Sequence, residues 1–163
     1  MRNLAFIVPF AVAATAAGVA VAQPSVTVTL GEDLQKESRE LGAREVQQQV
    51  DQLTRIVSRA IAEDADLAGA RVELVLTELK PNRPTFQQVA DRPGIDPMRS
   101  ISIGGAAIEG QIIMADGRVQ PVRYRWFSNN LSDVRGFAVW QDADRAYRRL
   151  GSNIAAGRYV VGR

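Results

Sequence analysis

Between Arg71 and Phe127 the chain holds one apolar strand (RVELVLTEL), a proline-bearing loop (KPNRPTF) and a long ribbon that turns at Asp116-Gly117. Successive strand residues face opposite sides, so a slip of one residue exchanges the faces and the apolar pattern fixes the register. Ile101 and Ile103 are odd-numbered whereas Ala106, Ile108 and Ile112 are even, so the apolar face changes phase at Gly104-Gly105. A β-bulge there, at residues that tolerate one, restores a single buried face. Val122, Tyr124 and Trp126 on the return strand are also even. A two-residue Asp-Gly turn would set them opposite odd residues. A loop of Ala115-Asp116-Gly117 with Gly117 left-handed pairs n with 232 − n and places Tyr124 opposite Ile108, Val122 opposite Gly110 and Trp126 opposite Ala106. The same register sets Glu109 opposite Arg123 on the other face.

Upstream, Val26 to Leu30 alternates β-branched residues and reads as a short strand closing at Gly31. A polar linker follows, then a helix starting near Ser38 or Gly42 and ending near Ala65. Val46, Val50, Leu53, Val57, Ala60 and Ile61 recur at helical spacing on its buried stripe, with Gln48, Gln49 and Gln52 off it. Strand, helix and the strand Val72 to Leu79 make a βαβ-like unit.

In the loop Lys80 to Phe86 each proline fixes its own φ and turns the preceding residue from the helical region, so the strand stops near Lys80. Thr85 and Gln88 fit a capping box opening a short helical turn, with Phe86 directed into the core. Asp91 to Pro97 reads as loop. Beyond the ribbon, Phe137 to Trp140 is expected as a short edge strand and Asp142 as the N-cap of a second helix with Ala143, Ala146, Leu150 and Ile154 inward. Gly157 stops that helix, and residues 158–161 form a last strand or end loose. The expected fold is α+β, a mixed or antiparallel sheet with a long β-hairpin in the order β-α-β-β-β-α, helices packed on one face. Its core draws on Val50, Leu53, Val57, Leu74, Leu76, Ile108, Ile112, Tyr124, Trp126 and Leu150.

Residues 1–22 have the plan of a cleavable signal peptide: basic Met1-Arg2-Asn3, an apolar run from Leu4 to Val12, and Ala20-Val21-Ala22 before Gln23. Cleavage after Ala22 leaves residues 23–163 as one domain, periplasmic and without a stable membrane span. With no cysteine, a lipid anchor at the cleavage site and disulfides are both excluded, so packing alone must hold the domain.

Charge divides unevenly along residues 23–163. Residues 23–70 carry 5 basic and 9 acidic side chains, whereas 118–163 carry 9 and 3, every basic one an arginine. Such a segment can steer an anionic partner, and it can equally be the solvated side of a strand and a helix. Lys80, Asn82, Arg83, Arg123 and Arg125 are the candidate ligand-binding residues, the first three on a rigid loop and the last two sharing one strand face.

The sequence contains neither histidine nor cysteine, which removes Ser-His-Asp and Cys-His hydrolysis, thiol redox chemistry and typical zinc or copper sites. No dinucleotide, P-loop or EF-hand pattern occurs. Asp64 and Asp66 lack calcium-loop spacing. The remaining catalytic route is a carboxylate pair about 5–10 Å apart drawn from Glu73, Glu78 and Glu109. No catalytic residue, metal or cofactor is assigned.

The segments VELVLTELKPNRPTF, SISIGGAAIEG and WQDADRAY resemble a group of uncharacterised exported proteobacterial proteins, similar in layout to small lipoprotein-like α/β domains. The resemblance implies an envelope protein of a Gram-negative bacterium and carries no site residues. The expected function is that of a non-enzymatic accessory or interaction protein with an envelope-protein partner. The alternative is a binder of an anionic envelope ligand, lipid headgroup or glycan, through an arginine-rich sheet face, with a carboxylate hydrolase as the third reading. Nucleic acid is not expected as a partner.

Overall fold

The computed structural model describes residues 23–134, 136 and 138–161. The expected signal peptide, and Phe137 of the expected edge strand, lie outside them. Five strands and four helices follow in the order β1 (Ser25–Leu30), α1 (Glu32–Leu41), α2 (Ala43–Ala62), β2 (Arg71–Lys80), α3 (Phe86–Asp91), β3 (Gly105–Ile113), β4 (Val119–Phe127), α4 (Gln141–Ile154) and β5 (Val160–Val161). The strands form one mixed sheet in sequence order, with β1 parallel to β2, β5 parallel to β4, and the central pairs antiparallel. The fold is α+β.

The hairpin has the register that alternation demands. Ile108 pairs with Tyr124, Gly110 with Val122 and Ala106 with Trp126. The Met114 carbonyl accepts from Gly117 N–H at 2.9 Å, Met114 N–H donates to the Arg118 carbonyl at 2.8 Å, and Gly117 takes φ 86. The phase change lies elsewhere than expected. β3 begins only at Gly105, Ile101 and Ile103 are exposed, and the register shift sits in β2 between Leu76 and Glu78. That shift moves Leu79 onto the same buried face as Val72, Leu74 and Leu76, and sets it opposite Ala106.

The expected linker after β1 is helical. Glu32 and Asp33 stand in the first turn of α1, where helix partial charge favours them, and Leu34 and Leu41, seven apart, are its only buried residues. The chain breaks at Gly42, φ 90, and α2 buries Val46, Val50, Leu53, Val57 and Ile61, together with Gln49. On α4 the inward residues are Ala143, Ala146, Tyr147, Leu150 and Ile154. α2 and α4 pack against each other, and Gly151 lets them approach, since a Cβ there would lie 3.1 Å from Ile56. The core forms between these helices and one sheet face, drawing on Leu74, Leu76, Ile108, Ile112 and Tyr124. Trp126 is half-buried at its margin.

Three local expectations are corrected. Thr85 and Gln88 do form a capping box, but Thr85 is the buried residue and Phe86 is 86% exposed, its N–H donated to Glu45 Oε1 at 3.1 Å. Ala138, Val139 and Trp140 belong to no strand; the Val139 carbonyl accepts from Asn82 N–H at 2.7 Å. Trp140 is the N-cap of α4, and Asp142 lies inside its first turn because Asn82 and Ser128 engage its carboxylate. Among the described residues no helix is long and apolar enough to cross a membrane.

Candidate anion-binding groove

The sheet face away from the core carries side chains in rows across β2, β3 and β4. In one row Glu78, Ala107 and Arg125 are aligned, and in the next Lys80, Gly105 and Phe127. The small central residues let the outer ones meet. Arg125 donates to Glu78 Oε2 at 2.7 Å, Lys80 lies 2.8 Å from Glu78 Oε1, and both cations stand over the Phe127 ring, at 4.7 and 5.4 Å from its centre. Gly105 is what makes room for that ring: a Cβ there would lie 2.6 Å from Phe127 and 2.2 Å from the Trp126 carbonyl, at φ 151.

The other carboxylates of this face are paired as well. Arg123 meets Glu109 at 3.4 Å, as the register requires, and Glu73 accepts from Arg71 at 2.9 Å and from Gln111 at 2.9 Å. Asp64 accepts from Asp66 N–H and closes a turn. Among the described residues no group of three or more His, Cys, Asp or Glu is placed to hold a metal ion.

Asn82 and Arg83 have a different setting. Asn82 is 1% exposed: its amide donates to Asp142 Oδ2 at 2.6 Å and its oxygen accepts from Asp142 N–H at 2.9 Å. Ser128 Oγ donates to the same carboxylate oxygen at 2.6 Å, and Arg145 reaches Oδ1 at 3.3 Å. Arg83 is 6% exposed and donates to the carbonyls of Pro97, Met98 and Gly136. These two residues tie loops and the start of α4 together.

Lys80 and Arg125, by contrast, line a groove of about 1060 Å³ between the end of β4 and α4. Arg148 and Arg149 of α4 also line it, and no Asp or Glu is among the described residues lining it. Arg149 stacks on Trp126 at 4.6 Å from the ring centre, and Arg148 is held by Asp144 at 2.8 Å. Burial pushes the Tyr124 phenol above its ordinary pKa while the neighbouring Arg149 draws it back, so it is a neutral floor at physiological pH. Stacking and ion pairing hold the cations in place and leave their remaining donors for a ligand, which suits recognition of phosphate or carboxylate groups.

Sequence reasoning finds Lys80 and Arg125 but not Arg148, Arg149 or the part of Trp126 and Phe127. The available signal is the arginine excess after residue 118, together with the inward stripe of α4, which turns Arg148 and Arg149 outward. A scan against protein-family models finds no match, and no curated protein matches the chain significantly.

Proposed function

We propose that this chain is a non-enzymatic binding protein of the cell envelope, exported to the periplasm, which takes an anionic ligand into the groove between β4 and α4. The observation that carries the reading is the convergence there of Lys80, Arg125, Arg148 and Arg149 with no lining carboxylate. Two of their charges are offset by Glu78 and Asp144 from behind, which leaves an excess of positive charge facing the cleft. The basic, apolar and small-residue sequence of residues 1–22 supports export, and the lack of cysteine supports an unlipidated protein. An accessory role toward an envelope protein has its own support in the outer edge of β1, with which no described strand pairs.

The ligand chemistry is phosphate or carboxylate, borne by a lipid headgroup or by an acidic glycan. Titration of the purified protein with vesicles of phosphatidylglycerol and phosphatidylcholine, and separately with polygalacturonate, distinguishes the sources, read by tryptophan fluorescence in a Trp140→Phe background that leaves Trp126 of the groove as the emitter. Binding to one of them is expected to weaken at higher salt and to fall by about tenfold or more in Arg125→Ala/Arg149→Ala, as charge-assisted contacts are lost. Binding to neither, or binding untouched by the double substitution in a folded variant, refutes the reading.

A further inference from the structure

The outer edge of β1 has a self-complementary form. Ser25 N–H is donated to the Ala70 carbonyl and Gly31 N–H to that of Leu76, so the backbone groups of odd-numbered residues face β2. Alternation turns the N–H and C=O of Val26, Val28 and Leu30 outward, and no described strand pairs with that edge. Between Ser25 and Leu30 there is no charge, proline, glycine or bulge, the usual devices that keep an edge from pairing. The opposite edge of the sheet, by contrast, ends in a two-residue strand.

We propose that β1 pairs antiparallel with β1 of a second copy, about a twofold axis at Val28, to make one continuous sheet across a dimer. Pairing n with 56 − n sets Val28 against Val28 and Val26 against Leu30 of the second copy. Every outward N–H and C=O of the three residues is then used. Moving the axis to Thr27 would bring Pro24 opposite Leu30, and proline has no N–H to give the Leu30 carbonyl. The chosen register covers Val26, Val28 and Leu30, which are half-buried in the single chain. On the open face it sets Thr27 against Thr29 of the other copy, a favourable hydroxyl pair in an isologous interface.

The test is sedimentation velocity of the purified protein over a range of micromolar concentrations, where a dimer is expected. Thr27 and Thr29 stand on the exposed face, so Thr27→Lys/Thr29→Lys should keep the circular dichroism of the fold. Opposed lysines should weaken the dimer by about tenfold or more. Thr27→Lys/Thr29→Glu sets lysine against glutamate across the axis and should restore it, which happens only if residue 27 faces residue 29. A wild-type monomer throughout the range, or a dimer indifferent to the paired lysines, overturns the proposal; failure of the lysine-glutamate variant to recover overturns the register.

Discussion

Tyr147 lies wholly inside the helix-sheet core, and its hydroxyl has no hydrogen-bond partner among the described residues. A buried hydroxyl left unpaired costs about 1–3 kcal/mol, so Tyr147→Phe should raise stability by about 1 kcal/mol in urea unfolding. Burial also pushes the phenol far above its ordinary pKa, and the Asp144 charge pushes it the same way. Above about pH 10 the unfolded chain loses this proton while the folded one keeps it, so stability falls as pH rises. The gap between wild type and Tyr147→Phe should therefore widen between about pH 10 and 12; equal alkaline slopes would contradict the assignment. Asp142 is the opposite case, a fully buried carboxylate whose oxygens are met by Asn82, Ser128 and Arg145. Asn82→Ala strips two of Asp142's hydrogen bonds at once, and a loss of about 2–4 kcal/mol is expected from denaturant midpoints. Before folding, Asn82 and Arg83 are simply polar residues of a proline-rich loop. Their inward direction depends on Asp142, 60 residues away, and on carbonyls of other loops, which no local pattern announces.

At the scale of elements, the hairpin is legible because Ala106, Ile108, Ile112, Val122, Tyr124 and Trp126 all fall on one face in one register. A single shift would bury Glu109 and Arg123 and expose Ile108 and Tyr124. α1 is not legible, since two buried leucines in ten residues give too thin a stripe to separate an amphipathic helix from a polar linker. Glycine's tolerance points to a bulge at Gly104-Gly105, whereas the chain places it at Thr77, whose hydroxyl donates to the Ala107 carbonyl at 3.1 Å. Gly105 has instead the task of bearing the Phe127 ring between Lys80 and Arg125. Gly105→Ala forces a methyl against the Trp126 carbonyl in a backbone conformation that side chains rarely adopt. A loss of about 2–3 kcal/mol is expected in thermal or urea unfolding, with weaker ligand binding in whatever fraction stays folded. An alanine variant as stable as wild type would mean that the ring is not held this way.

Across the whole molecule charge is sorted by surface. The open sheet face pairs each of its glutamates with a cation, the groove beside it presents cations from three elements, and the arginine excess of the last third supplies half of the first set and three of the four in the second. The composition discloses that excess, but only the ladder reveals which arginines are spent on neighbours and which face a cleft. Glu78 stands at the border, since it holds Lys80 and Arg125 together from the sheet side. Both cations of these pairs are more than half exposed, and such pairs contribute little to stability. Glu78→Gln should therefore leave the unfolding midpoint within about 0.5 kcal/mol of wild type. The same substitution removes one negative charge from behind the groove, so affinity for an anionic ligand should rise by about two- to tenfold at low salt and the gain should shrink as salt is added. Arg123 offers the control within the same sheet, because it is paired with Glu109 and does not line the groove: Glu109→Gln alters the net charge equally but should change affinity much less. Equal gains from the two substitutions would mean that overall charge, and not the β4–α4 groove, draws the ligand.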